Sequence, residues 1–321
     1  MAPNVLNDGA MSVRRMRFLI FAVLWMLAQW SASAALRCRP AVAKPHIAST
    51  ERVLHVVEAK NWWWGSKDSY FALVFNPSRP DQPLRVVEAK KREDLPRPGE
   101  ADVAAFHSYL KANNLTILRS PLEGEAYVIN GNKEHHHNNE SGFGDFAWDL
   151  VKLDSRTKLS YRRSGRRNSD FVVWNKKVWS PVQGKVVEVV RNQPDNPAKL
   201  EGGEFTARQD GNYVGIHLGG NFYLYLLHFK RNSIPESVVV GSTINVGDYL
   251  GRVGNSGVSL VPHLHMSLYY FDKGTNRYWS VPGLFSRLGV KALSEESGEV
   301  RSDYVPSSGD LIFNPRPISE P

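Results

Sequence analysis

Cysteine is almost missing: Cys38 is the single one in 321 residues. No intramolecular disulfide can form and no cysteine cluster can hold a metal, so any bound ion must use His, Asp or Glu. Long apolar runs are equally scarce. Apart from one N-terminal stretch, nothing approaches the ~20 residues of a spanning helix, which excludes a polytopic membrane protein. Hydrophobic residues make up 42% of the chain and charged residues 22%. That balance excludes wholesale disorder and a collagen-like chain. The length suits one large domain or two modest ones, each able to bury a core.

The one apolar stretch reads as targeting. Arg14, Arg15 and Arg17 form a basic start, Phe18 to Trp30 is apolar except for Gln29, and Ala32-Ser33-Ala34 supplies the small-x-small cleavage pattern. Residues 1–34 are expected to be a signal peptide, and the protein to be exported, either periplasmic or secreted. Left uncleaved, the same segment would anchor the chain in the inner membrane. Arg37 stands where a lipidated cysteine needs a small neighbour, so Cys38 is expected to be a free thiol. Removing Met1 to Ala34 takes away three Arg and one Asp, leaving 37 basic and 31 acidic side chains. A net +6 favours anionic surroundings such as a cell wall, though simple solubility explains it equally well. Nucleic acid is not an expected partner outside the cytoplasm.

The expected fold class is mainly β: a twisted antiparallel sheet or sandwich, preceded by a β-rich region containing one helix. In the region 35–130, Val53 to Val57, Tyr70 to Phe75 and Leu84 to Val87 are β-branched or aromatic runs between turn residues. Val-Val-Glu-Ala-Lys occurs at Val56 to Lys60 and again at Val86 to Lys90, which suggests a pair of similar strands; a solenoid needs more copies. Val103, Phe106 and Leu110 mark the helix, and Asn113-Asn114 its stop. The Trp62-Trp63-Trp64 run could stack on sugar, but a partly buried aromatic loop explains it better. Residues 151–173 read as a solvated loop carrying Arg162, Arg163, Arg166 and Arg167. Residues 131–290 contain consecutive short strands, from Val178 to Val190, Tyr213 to His217, Tyr223 to His228, Ile244 to Val253 and His263 to Tyr270. The polar segment 291–321 is expected to lie on the surface as a tail.

Histidine carries the chemistry. His46, His55 and His107 have no acidic or histidine partner at ligand spacing and read as ordinary surface or core residues. The strongest local signal is Pro262-His263-Leu264-His265-Met266. Alternate side chains of a strand share a face, so His263 and His265 project together. One of them can bind a zinc ion while the other reaches the water on it. The pattern gains weight from its company: Asp149 in Phe146-Ala147-Trp148-Asp149, the run His135-His136-His137, and His228 at the end of a strand. Zinc hydrolases commonly use three His or carboxylate ligands and leave a fourth position for water, whose pKa the ion lowers.

At these residues the sequence resembles the lysostaphin-like, LytM-type zinc metallopeptidases, which cut peptide cross-links of bacterial peptidoglycan. Four stretches carry the resemblance. They are His137 through Asp149, Trp179 to Val187, Gly211 to His228, and Val246 to Gly257 with Pro262-His263-Leu264-His265. The resemblance implies one Zn²⁺ held by His137, Asp149 and His265, with His228 and His263 as catalytic histidines. It implies peptidoglycan or its stem peptides as partner, and a twisted antiparallel sheet with the metal in a groove. The spacing between the first two ligands is longer than the family often has, and His136 is the alternative to His137. The position where the family commonly has a tyrosine is Leu226, with Tyr225 beside it facing the other way. His217 reads as structural. A non-catalytic member that binds the wall or activates another hydrolase is the alternative, although such members usually lose ligands. A carbohydrate-binding β-protein is a further alternative, and it would tolerate histidine substitutions. Gly254-Asn255-Ser256-Gly257 lacks the second glycine of a nucleophile elbow at the required place, so it reads as a turn.

Overall fold

A computed structural model describes residues 45–58, 69–79, 81–131, 144–202 and 210–315. The expected signal peptide, Cys38, Trp62-Trp63-Trp64 and His135-His136-His137 lie outside them. Among the described residues no helix is long and apolar enough to cross a membrane.

The chain opens with β1 (Arg52–Glu58), β2 (Tyr70–Phe75) and β3 (Leu84–Ala89), followed by α1 (Glu100–Ala112). Then come β4 (Ala126–Asn130), β5 (Trp148–Val151), β6 (Lys177–Trp179), β7 (Gly184–Val190), β8 (Tyr213–Gly219) and β9 (Phe222–Leu227). The last are β10 (Thr243–Ile244), β11 (Tyr249–Arg252), β12 (Leu264–Asp272), β13 (Arg277–Ser280), β14 (Phe285–Lys291), β15 (Glu299–Tyr304) and β16 (Leu311–Phe313). The described residues are mainly β, with antiparallel strands and one α-helix. The main sheet runs β10-β7-β8-β9-β12-β5-β4-β16-β14-β15, and β13 pairs with the far end of β12. Strands β1 to β3 form a separate sheet, and β11 pairs with β6. The two copies of the pentapeptide begin in β1 and β3, the two strands that flank β2.

Helix α1 forms where expected. Phe106 and Leu110 are buried, and Asn114 ends the helix with φ of 56°. The Phe106 ring lies 5.3 Å from Phe75 of β2 and 6.2 Å from Phe222 of β9, so the helix joins the small sheet to the large one. Burying a side chain of this size contributes about 1.5–3 kcal/mol. Leu54, Phe71, Leu73 and Leu84 add one face of the small sheet to the main core, while Val53, Ala72, Val74 and Val87 form a minor core on its other face.

Two expectations about boundaries change. The last strand of the region 35–130 is β4, and it sits inside the main sheet between β5 and β16. The segment after Gly289 is not a surface tail. Strand β15 pairs with β14, and β16 pairs with both β14 and β4. Leu311 and Ile312 are buried, and the Phe313 ring packs where a Cβ on Gly289 would clash with it at 2.2 Å. Five of the six β15 side chains are exposed, because an edge strand is held by its backbone and needs no apolar pattern. The loop 151–173 does expose its four arginines, yet it is folded: Tyr161 pairs with Phe171, and Asp170 is buried. The strands expected over 178–190 and 244–253 are each interrupted by a turn, giving β6 with β7 and β10 with β11.

Candidate metal centre

Strand β12 alternates. Leu264, Met266, Leu268 and Tyr270 are fully buried against the core, so His263 and His265 face the other way. On one side His265 lies directly opposite Asp149 of β5; on the other it lies opposite Leu227 of β9. Residues in such register project to the same face. Accordingly, His265 Nδ1 lies 3.0 Å from Asp149 Oδ1. The second Asp149 oxygen accepts a 3.1 Å hydrogen bond from Asn130 Nδ2 on β4, which fixes the carboxylate plane.

His228 follows β9 by one residue. Regular alternation would place it on the core side with Leu226. Its φ of 67° is left-handed, a conformation that costs a non-glycine residue on the order of 1–3 kcal/mol, and it changes the direction of the side chain. The surroundings hold it there. The His228 carbonyl accepts the Gly254 N–H at 2.9 Å, and the Phe229 N–H bonds the Asn212 carbonyl at 3.0 Å. The ring Nδ1 meets the Ser256 carbonyl at 2.7 Å. Gly211 permits the close approach: its φ is 78°, and a Cβ there would lie 2.5 Å from the Ser256 carbonyl.

A carbonyl only accepts, so the His228 Nδ1 carries the proton and Nε2 keeps its lone pair. The same holds for His263, whose Nδ1 donates to the Val261 carbonyl at 2.8 Å. The His263 Nε2 faces Asp149 Oδ1 at 3.4 Å. Ring centroids of His228 lie 4.7 Å from His263 and 5.8 Å from His265, and one ligand atom from each of the three gathers within 4.8 Å of the others. Burial, then the neighbouring His263 and His265, hold the His228 imidazole well below the usual histidine range. Burial also opposes a charge on His263, but Asp149 and the Val261 carbonyl outweigh it and raise its pKa.

The structure thus brings Asp149, His228, His263 and His265 into one cluster. His137 and its neighbour His136 lie outside the described residues. His217 is remote from the cluster; its ring meets the Gly220 carbonyl at 2.9 Å and Tyr223 at 4.9 Å. Leu226 pairs with Met266 on the core side, and Tyr225 faces the same side as His265. Ser256 is buried, and its hydroxyl donates to the Phe229 carbonyl, so it is a support. Sequence reasoning missed Asn130 and the Ser256 and Val261 carbonyls. None carries a motif, and a backbone acceptor has no residue identity to read. It also missed the partner of His55, a buried histidine whose Nε2 lies 2.6 Å from the buried Asp145 Oδ2. That carboxylate sits four residues before Asp149 but ninety residues from His55 in sequence.

Residues 169–277 match the family model for Peptidase family M23. The match covers about a third of the chain. The matched stretch includes His228, His263 and His265, while Asp149 precedes it. Among solved structures, the chain is similar to the catalytic domain of a variant of the prophage-encoded M23 protein EnpA from Enterococcus faecalis. Identity is 18%, over 51% of this chain and 94% of that one, with a TM-score of 0.32. It is also similar to the catalytic domain of the antimicrobial peptidase lysostaphin from Staphylococcus simulans. There identity is 17%, over 49% of this chain and 88% of that one, with a TM-score of 0.28. No curated protein matches the chain.

Proposed function

We propose that the protein is an exported zinc metalloendopeptidase that hydrolyses peptide bonds in peptidoglycan cross-links. The observation that carries this reading is the Asp149 carboxylate and the His265 imidazole on directly paired strands, beside two histidines whose Nδ1 protons are fixed by backbone carbonyls. The donor set fits zinc. Oxygen and nitrogen ligands on a tetrahedral Zn²⁺ at ~2.0–2.2 Å stand about 3.3 Å apart, and the Asp149 to His265 separation is 3.0 Å. Asp149 and His265 would hold the ion, with His137 (or His136) as third protein ligand. An ion bound there supplies Lewis acidity, polarising the scissile carbonyl and acidifying water.

The chain's own groups do the rest. Asn130 orients the carboxylate. His228 or His263 receives the proton of the attacking water at Nε2, and the N–H so formed hydrogen-bonds the carbonyl oxygen as it becomes negative. That proton then passes to the amide nitrogen as the C–N bond breaks. Peptidoglycan as substrate is supported by the M23 match and by the resemblance to LytM-type enzymes. Export is supported by the pattern at residues 1–34.

The test is incubation of the protein beginning at Ala35 with purified peptidoglycan and zinc, beside His265→Ala, with released muropeptides followed by chromatography and mass. New uncrosslinked peptides from the wild type alone are expected. No release despite bound zinc and wall binding would instead make the protein a non-catalytic binder or activator.

A further inference from the structure

The face that carries His265 continues into a second feature. Leu227 and Tyr213 lie in register with His265 across β9 and β8. Beyond that row is a cavity of about 90 Å³ walled by Tyr213, Tyr225, Tyr269 and Tyr278 and edged by Glu188 and Asp210. The Tyr225 ring centroid lies 6.0 Å from Tyr213, 5.6 Å from Tyr269 and 5.6 Å from Tyr278, with steep angles between the planes. Four tyrosine rings thus border one small space. Among the described residues no lysine or arginine lines it.

Two backbone devices build this space. Gly215 lies under Tyr225, and a Cβ there would meet the ring at 2.6 Å, so only glycine lets the phenol settle against β8. On β7, pairing runs from Val186 opposite Ile216 directly to Glu188 opposite Gly215, so Val187 is the extra residue of a bulge. Without the bulge Val187 would face Gly215. With it, the carboxylate of Glu188 is aimed into the tyrosines, a use of bulges common beside functional sites. Burial, with Glu188 beside it, pushes the Tyr213 phenol up to about 12, so that wall stays neutral, and burial also raises the pKa of the Asp210 carboxyl. Asp210 stands close enough to His265 for their charges to interact, which ties the cavity to the metal centre. The buried Tyr225 hydroxyl and its neighbour Tyr278 do not meet with hydrogen-bond geometry.

We propose that this cavity is a subsite for a primary ammonium group on the peptide substrate. Aromatic faces attract cations, carboxylates at the edge complete the charge, and the volume suits the end of an aminoalkyl chain better than a guanidinium. A carboxylate is rejected by Glu188 and Asp210. Leu227 and Tyr213 of the His265 row line the cavity at one end and Tyr225 lies two residues further along β9, so the amine sits within roughly 7 Å of that row, at most about two residues along an extended peptide. The amine is either a diamino-acid side chain or a free amino terminus. The inference rests on the endopeptidase reading but is tested by binding alone.

Three tripeptides test it on the full chain stripped of metal, by isothermal titration at neutral pH. Acetyl-Ala-Lys-Ala offers only the side-chain amine, Ala-Lys(acetyl)-Ala only the terminal one, and the doubly acetylated peptide neither. One of the first two should bind at least tenfold more tightly than the third, and which one it is identifies the source of the amine. Glu188→Gln and, separately, Tyr278→Leu should remove most of that difference while circular dichroism shows the fold retained. Equal or absent binding of all three overturns the proposal, as does a preference that persists in both folded variants. Failure of peptidoglycan digestion with this preference intact would sink the enzymatic reading and leave the ammonium subsite standing.

Discussion

The two faces of β8, β9 and β12 are made from alternate residues of the same strands, yet they obey different rules. The core face is Val214, Ile216, Leu224, Leu226, Leu264, Met266 and Leu268, each fully buried. Any side chain of the right volume serves there. The opposite face has His263, His265, Tyr269, Tyr225 and Tyr213, where every residue is placed by a specific partner. The contrast teaches that stability and chemistry can be altered independently on one strand, one residue apart.

Neighbouring substitutions on β12 test that contrast most strongly. His265→Ala should remove bound zinc and lower muropeptide release on the order of a thousand-fold or more, with the melting temperature of the metal-free protein hardly moved. Met266→Ala should do the reverse. It should destabilise the fold by about 2–5 kcal/mol in denaturant titrations, while digestion below the melt continues. If Met266→Ala abolished digestion while the protein remained folded, the two faces would not be independent.

A smaller effect sharpens the picture. Asn130→Ala leaves both faces of β12 untouched but removes the hydrogen bond from Asn130 to Asp149. Zinc affinity should fall about 10–100-fold, measured by competition with a chelator, with little change in melting.

The smallest effect belongs to neither face. Arg85 donates to both Glu51 oxygens, at 2.9 and 2.7 Å, and with the Ala48 N–H it lowers that carboxyl from 4.5 to about 2 against the opposing effect of burial. A folded pKa below the unfolded one gives stability that is full above 4.5 and lost as pH falls toward 2. Arg85→Ala should therefore lower the melting temperature at about pH 6 and have little effect near pH 2. An equal loss at both would refute the linkage.

How much of this was legible in the sequence depended on the distance over which a signal acts. Period-two alternation on one strand put His263 and His265 on a common face, and the helical spacing of Phe106 and Leu110 marked α1. Asp149 lies 116 residues from His265; only the resemblance connected them, because strand pairing order has no local signature. Strand β15 escaped because its exposed side chains show no alternation. The left-handed turn at His228 and the bulge at Val187 also escaped, since neither uses the glycine that would have marked it. The partnership of His55 with Asp145 had no local trace at all.

Strand β4 holds the asparagine that steadies Asp149, and its outer edge is closed by β16. Between Ala126 and Phe313 lies the whole stretch that matches the M23 family model. A chain truncated before residue 311 therefore carries the histidines but lacks the strand that closes the outer edge of β4, whose asparagine steadies their carboxylate.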